Sequence, residues 1–435
     1  MSSVTVGVDI GTTSVKAIAA DAEGQVVARA RIPHELRVPT PARFEHDALP
    51  AWREGPVRAL AELARDDVAA VSVAAMVPSL TAVDTGGIPL GAGLLYGDER
   101  GHTGSGGTPA ESGELVAFLR WIVDAIPDAA GYWPAQSVAN HALGGVAVLD
   151  TSTAATAFPL FDWTGWDGTV ADRVGARVEQ LPTLEPTGTA VGRVGGDGPV
   201  LASGCIDALA EQLVAGADET GDVLVILGTT LIVWVVVDEP VEVEGCFTIP
   251  HTAAGRFLVG GPSNAGGLFV NWAAGLAGGA SGTIDPARVP VWAPYPRGER
   301  VPFHDPARRA SLVALDLTHG AGAVRRAAFE ASGFAARRII DRVGGATRVV
   351  ATGGGVRVPE WLQAVADATR LPVDCVAVPE GGALGSAWLA RLAAGLEPGA
   401  AMVDGRRWAR TSRRIEPDER WAAAMGERYE RFQSL

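Results

Sequence analysis

The chain has 435 residues, a length that suits two domains of about 200 residues each. Its 47% hydrophobic and 20% charged residues describe an ordinary globular protein. A formal net charge of −14 argues against nucleic acid and anionic membranes as main partners, because both need a basic face, so any phosphate must be held locally by backbone amides, a cation and a few basic groups.

In chain order, the first element is an apolar run (Val4, Val6, Val8, Ile10) that enters a Gly11-Thr12-Thr13 turn. A second run, Val15 to Ala20, leaves it toward Asp21, so the stretch predicts a β-hairpin with its functional groups at the tip. Glycine lets the backbone approach a ligand, and consecutive N–H groups with nearby hydroxyls can hold phosphate oxygens. Asp9, just before the turn, offers the hard oxygen ligand that Mg²⁺ prefers. The same stretch is also compatible with an ordinary hairpin that has a polar tip. Lys16, on the outgoing strand, is the only lysine in the chain.

Val26-Val27-Ala28 predicts a third strand, and Asp47 opens a helical stretch with Trp52, Val57, Leu60 and Leu63 on one face. Val68 to Val77 and Leu80 to Val83 return as strands, which makes the pattern α/β. The run from Gly101 to Gly113 holds five glycines and reads as a flexible loop, either a linker or a lid. Leu115 to Ile126 is helical, whereas Ala135 to Asp167 carries mixed signals and no assigned element. The Gly-, Pro- and Thr-rich stretch Leu181 to Pro199 marks the boundary between halves. Val200 to Ile206 then leads to Asp207 at the N-cap of a helix over Ala208 to Ala215.

Gly228-Thr229-Thr230 repeats the first turn between two apolar runs. Gly228 lies 217 positions after Gly11, and Asp238 lies the same 217 after Asp21, near half the chain length. This reads as an internal duplication in which Ile226 replaces Asp9. Later elements include a polar Gly-rich turn before a helix near Leu268 and an extended loop over Ala293 to Pro302. A long helix follows, with Val324, Ala328, Ala331, Ala335, Ile339 and Val343 as its buried stripe. The strand Arg348 to Thr352 runs into Gly353-Gly354-Gly355 and a helix from Pro359 to Thr369, an arrangement whose bare backbone suits a nucleotide base or phosphate. Val373 to Val378 is a strand, and Glu380 opens a small-residue helix able to approach its neighbours closely. The three cysteines, Cys205, Cys246 and Cys375, have no metal spacing and read as free thiols. The start, Met1-Ser2-Ser3, carries no basic-plus-apolar leader, and the expected location is the cytoplasm.

Taken in order, the Val8-to-Lys16 hairpin, Asp98-Glu99-Arg100, Gly204 to Ala208, Gly228 to Thr230, Gly298 to Pro302 and Gly353 to Gly355 with Trp361 and Ala366-Asp367 resemble the FGGY family of carbohydrate kinases, nearly end to end. The resemblance implies an α/β fold of two ribonuclease-H-like domains of the actin/sugar-kinase superfamily with an interdomain cleft, residues 1–198 forming the first domain and 199–435 the second. It implies ATP and Mg²⁺ as cofactors. By the same resemblance Asp9 is expected to take part in Mg²⁺ coordination, Gly11, Thr12 and Thr13 with Gly228, Thr229 and Thr230 are expected to grip the β- and γ-phosphates, and Lys16 stands where relatives carry Lys or Arg near this loop. The resemblance also implies that Gly353, Gly354 and Gly355 line the adenosine site, that Asp207 is the catalytic base, and that Met76, Asp98 and Arg100 join it at the substrate.

The implied activity is phosphorylation of a terminal hydroxyl of D-xylulose or a similar ketopentose, with gluconate, ribulose and glycerol-like polyols as other acceptors. A non-catalytic sugar- or nucleotide-binding relative is a further alternative, which retention of both Asp9 and Asp207 disfavours. Family members are commonly dimers. The chain departs from xylulokinase-like relatives at Val77, where they carry a histidine, and at Tyr96, where many carry tryptophan. Ile206 and Ala314 also stand where glycines are usual.

Overall fold

The computed structural model describes residues 3–40, 42–102, 114–252, 255–278 and 284–435. Most of the glycine-rich loop expected over Gly101–Gly113 therefore lies outside the described residues. Element labels below follow chain order. By contact density the chain divides into two compact units. The first holds the described residues up to 102, those of 114–214, and Glu380–Trp408; the second holds Ala215–Pro379 and Ala409–Leu435. The boundary expected at residues 198/199 thus moves in two ways: 199–214 and Glu380–Trp408 both belong with the first unit.

The first unit is built on a seven-stranded sheet. Its strands are β1 (Val4–Ile10), β2 (Ser14–Ala20), β3 (Val26–Pro33), β4 (Val68–Ala75), β5 (Ala190–Arg193), β6 (Val200–Ala202) and β7 (Cys205–Ile206). The order is β5-β6-β4-β1-β2-β3, and β7 resumes the pairing of β6 on β4. Between β6 and β7 the chain turns at Gly204, whose φ of +100° and tight approach to Val73 O leave no room for a side chain. Every residue of β1 is buried, which explains its near-continuous apolar sequence.

Helix α1 (Gly55–Glu62) follows a π-helical turn, Leu49–Glu54. That wider turn shifts the helical phase, so Trp52 and Leu63 are buried while Val57, expected on the same face, is 42% exposed. Helix α2 (Glu114–Ala125) matches the sequence reading, and α3 (Ala135–Gly144) lies in the stretch that carried no assignment. Helix α4 (Asp207–Ala215) starts directly after β7.

The second unit repeats this plan. Its sheet contains β8 (Asp222–Leu227), β9 (Leu231–Val237), β10 (Phe247–Pro250), β11 (Phe257–Ser263), β12 (Arg348–Thr352), β13 (Val373–Val376) and β14 (Thr411–Ile415), ordered β10-β11-β9-β8-β12-β13-β14. In each unit the leading strand pairs antiparallel with the next strand and parallel with a later one: β1 with β2 and β4, β8 with β9 and β12. The duplication read from the sequence is therefore topological, but the tips differ in length. Ile10 faces Val15 across four loop residues, whereas Leu227 faces Leu231 across three. The 217-residue offset holds through the first strand and falls by one across the tip, so Lys16 corresponds to Ile232.

Helices α5 (Gly267–Ala277), α6 (Ala321–Val343), α7 (Pro359–Thr369) and α9 (Ala422–Gln433) complete the second unit. The α6 stripe buries Ala328, Ala331, Ala335 and Ile339 in one core with Trp361 and Phe432. Helix α8 (Gly381–Ala393) returns to the first unit and lies directly on its sheet. A Cβ on Gly7 of β1 would fall 1.7 Å from Ala383 O, and one on Gly385 would fall 1.9 Å from Ala210 O of α4. The small residues of this helix are thus explained by backbone contact on two sides. Ala314, which stands in a usual glycine position, adopts φ +60°, a conformation that costs an alanine about 1 kcal/mol.

Candidate active site

In the first unit, strand register places the candidate residues in a row. Ala74 of β4 is opposite Asp9 on one side and Cys205 on the other, and Ala75 is opposite Ile10 and Ile206. The next residue along each strand is Gly11, Met76 and Asp207. All three therefore sit at the carboxyl ends of neighbouring parallel strands, where α/β sheets present their ligand sites. Adjacent strands are about 4.8 Å apart, so Asp207 and the hairpin tip are separated by about 10 Å.

Asp207 is half-buried at the first turn of α4, and its Oδ1 accepts the Ala208 N–H at 2.7 Å. The approach to it is fixed by a buried carboxylate that the sequence reading missed. Asp150 is fully buried; its Oδ2 accepts the Thr187 hydroxyl at 2.6 Å and the Ser152 N–H at 2.7 Å, and it also accepts the Ser152 hydroxyl. Ser152 Oγ in turn accepts the Ile206 N–H at 3.3 Å, one residue before Asp207. Gln136, also fully buried, donates to both Val73 O and Cys205 O and so ties β4 to β7.

At the tip, the Gly11 N–H donates to Ser14 O at 3.1 Å. The Thr12 carbonyl accepts from His46 Nε2 at 2.8 Å, and the Thr13 carbonyl accepts the His34 N–H at 3.1 Å. Thr13 is exposed, but Thr12 is 7% exposed and its hydroxyl is bonded to the Tyr96 hydroxyl at 2.7 Å. The hydroxyl of Thr12, expected to grip phosphate, is turned inward.

Asp9 lies beside the first turn of α8, where a Cβ on Gly382 would come within 3.2 Å of its carboxyl carbon. The positive end of that helix favours the carboxylate. Lys16 Nζ donates to Asp9 Oδ2 at 3.1 Å. The Asp9 charge, with smaller contributions from Glu211 and Glu380, holds the Lys16 ammonium above its ordinary pKa despite burial.

Three substrate candidates are enclosed by protein. Met76 is 3% exposed, and its N–H donates to Ile10 O. Asp98 is 1% exposed: Oδ1 accepts from the Arg100 N–H and Nε, and Oδ2 from the Phe44 N–H and Arg100 Nη2. Arg100 also reaches Glu45 at 2.6 Å and lies over the Trp121 ring. Asp98 and Arg100 thus form a buried pair that fixes the loop after Leu95.

In the second unit, the Gly228 and Thr229 carbonyls accept the Gly267 and Leu268 N–H groups of the first turn of α5 at 2.8 and 2.9 Å. Gly266 is required here, because a Cβ would lie 2.1 Å from the Thr230 carbonyl carbon. Glu299, from the extended loop, secures this approach: it accepts the Asn264 N–H at 2.8 Å, the Ser263 hydroxyl at 2.7 Å and the Arg300 N–H at 2.7 Å. Burial pushes its carboxyl above the usual carboxylate range, and these hydrogen bonds oppose the shift. Gly353 follows β12 next to Leu227 with φ +85°, and Gly355 is packed under Trp361. Gly354 is exposed, and a Cβ there would meet nothing within 4 Å, so its bare backbone faces open space.

Two sheets of one topology, each with a Gly-Thr-Thr tip at its strand ends, define a protein of the two-domain actin/sugar-kinase fold. The N-terminal domain of the FGGY family of carbohydrate kinases matches residues 4–106, and the C-terminal domain of the same family matches 223–394. The chain is 25% identical to the glycerol kinase of Renibacterium salmoninarum over 494 residues, covering 98% of this chain and 95% of that protein. It is 24% identical to the gluconokinase of Bacillus subtilis over 458 residues, covering 91% and 88%. The crystal structure of xylulose kinase from Rhodospirillum rubrum superposes with a TM-score of 0.77 at 25% identity, covering 99% of this chain and 98% of that one. The chain belongs to the FGGY family and is a carbohydrate kinase.

Proposed function

We propose that the protein transfers the γ-phosphoryl group of ATP to a terminal hydroxyl of a small polyhydroxy acceptor, with D-xylulose, giving D-xylulose 5-phosphate, first among candidates. The observation that carries the reading is the row of Gly11, Met76 and Asp207 at adjacent strand ends, which sets one carboxylate about 10 Å from a backbone anion cradle. Asp207 orients the acceptor hydroxyl and takes its proton as the oxygen bonds to the γ-phosphorus. The bond from that phosphorus to the bridging oxygen breaks, and ADP leaves with the electron pair. Such a base contributes about 10²–10⁴-fold, and the remainder comes from positioning and charge stabilisation.

In this reading Gly11, Thr13 and Lys16, with Gly228 to Thr230, face the phosphates, and Gly353 to Gly355 lie along the adenosine. Asp9 fits Mg²⁺: it is a hard oxygen donor next to a glycine, and Mg²⁺ in phosphoryl transfer is commonly held by one or two carboxylates plus phosphates and water. No group of three or more His, Cys, Asp or Glu side chains suited to a metal occurs among the described residues. When bound, Mg²⁺ supplies charge neutralisation at the phosphates.

The acceptor is the finer part of the proposal. Val77 removes a polar group from the end of β4, which favours weaker discrimination among sugars and keeps gluconate, ribulose and glycerol-like polyols as alternatives. A coupled ADP-release assay over ketoses, sugar acids and polyols tests both levels. Acceptor-dependent ADP release with D-xylulose far ahead supports the specific reading, and a different leading acceptor replaces it. Absence of turnover on the whole panel removes the kinase assignment from these residues.

A further inference from the structure

The two hairpin tips turn their carbonyls inward by different means. At the second tip both holding groups are backbone amides of α5, from Gly267 and Leu268. At the first tip the Thr13 carbonyl is held by a backbone amide, that of His34, but the Thr12 carbonyl is held by the imidazole of His46. Thr12 corresponds to Thr229 by the 217-residue offset, so a side chain does at one tip what a helix amide does at the other.

We propose that His46 is a positioning residue for the first tip: by pinning the Thr12 carbonyl inward, it keeps the Thr13 amide N–H directed outward to receive a phosphate oxygen. The carbonyl and N–H of one trans peptide unit point in opposite directions, so fixing one fixes the other. Without the pin, the Thr12–Thr13 unit is free to rotate and present a carbonyl oxygen to an anion. The inference rests on the reading of this tip as a phosphate site.

The imidazole is suited to this task by three contacts. A carbonyl only accepts, so Nε2 carries the proton; the Trp52 indole N–H only donates, and it reaches Nδ1 at 2.9 Å, so Nδ1 is the acceptor. The tautomer is therefore fixed from both sides. The indole is seated in turn by Gly93, where a Cβ would fall 2.2 Å from the ring. The His34 ring packs edge-on at 4.4 Å, and His46 is 0% exposed, so no water competes for the bond.

The test compares His46→Phe, which has no donor, with His46→Gln, whose amide N–H can replace Nε2. Both are measured in the full chain for ATP affinity by calorimetry, for KM of ATP and of the acceptor, and for thermal midpoint. The expected result is ATP binding weakened at least about tenfold in His46→Phe, an acceptor KM within about twofold of wild type, and recovery to within about threefold in His46→Gln. A folded His46→Phe that binds ATP like wild type overturns the inference and leaves the kinase reading intact, as does equal impairment of the two variants. Wild-type protein that binds no ATP overturns both. If His46→Phe does not fold, His46→Leu, which also has no donor, takes its place: a folded His46→Leu must weaken ATP binding without changing the acceptor KM, and unchanged ATP binding overturns the inference.

Discussion

Lys16 Nζ donates to Asp9 Oδ2 at 3.1 Å across a directly opposed pair of positions on β1 and β2. At the matching place in the second hairpin two isoleucines, Ile226 and Ile232, face each other. One copy of the duplicated hairpin thus carries a cation and a carboxylate, and the other only apolar packing. Lys16→Met should lower kcat/KM for ATP by about 10²-fold, the usual consequence of removing one electrostatic contact from a phosphate site. Folding stability should fall by about 1–3 kcal/mol, because the Asp9 carboxylate, only 9% exposed, loses its donor. Lys16→Arg should recover activity only in part, since the site next to Gly11 accommodates a compact ammonium. Steady-state kinetics and urea titration of the three proteins check this, and a kcat/KM unchanged in Lys16→Met would show that the lysine serves the hairpin alone.

Asp207→Asn separates chemistry from structure. The Asn Oδ1 still accepts the Ala208 N–H, so the first turn of α4 is preserved. The variant should bind ATP as wild type does and lose acceptor-dependent turnover by at least about 10²-fold. Calorimetry with ATP and coupled ADP release provide the two measurements. Turnover near wild type would remove Asp207 from the chemistry.

Asp150→Ala addresses the network that leads to Asp207. It would strip the acceptor from donors on the buried Thr153 and the half-buried Ser152 and Thr187. Each donor left without a partner costs about 1–3 kcal/mol, so a loss of about 3 kcal/mol or more is expected. Because Ser152 also holds the Ile206 amide, the surviving folded protein should show a lower kcat with ATP affinity retained. A variant with wild-type denaturation and kinetics would contradict this role.

The hairpins, the long α6 and the Pro-started α7 were legible because apolar periodicity and turn residues report local structure. Helix α3 was not, since it is buried on nearly every side by a mixture of residues: Gln136, Ser137 and Asn140 are as fully buried as Ala135, Val138 and Ala139, so no clean apolar stripe marks it. The place of α8 was hidden for a different reason. Its small residues announced close packing, but the surfaces they meet, Gly7 and Ala210, lie far away in the chain. Asp98 and Arg100 were singled out by the family resemblance alone, and the ion pair they make with each other was not legible, because a short-range pairing of charges looks the same in sequence whether it is solvated or enclosed. His46 gave no signal, because its partner is a backbone carbonyl that carries no sequence signature.

The α8 contact gives a sharp test of the unit boundary. Gly385→Ala places a methyl group 1.9 Å from Ala210 O, and both partners are backbone-fixed. Overpacking of this kind costs about 1–3 kcal/mol and more where the backbone cannot move, so a loss near the upper end is expected. Gly354→Ala, which meets nothing within 4 Å, should leave stability within about 0.5 kcal/mol. Thermal or urea denaturation distinguishes the two, and a neutral Gly385→Ala would mean that α8 does not rest on α4.

Stability should also report the buried imidazoles. Burial holds His46 down to about 3 and His34 down to about 4, so both are neutral in the folded protein. In the unfolded chain each titrates near 6.5. Between these values the unfolded chain binds more protons, so stability is full above pH 6.5 and falls as the pH drops toward 4. For His46 alone the loss from pH 7 to pH 5 is about 2 kcal/mol. Carboxylates held below their usual range, such as Asp374 between Arg414 and Arg348, weaken the fold at still lower pH and are common to wild type and variant. His46→Gln carries no titrating group at this position, so its urea midpoint should change less between pH 7 and pH 5 than that of wild type. Parallel pH profiles for the two proteins would show that the imidazole at this position is not held neutral by the fold.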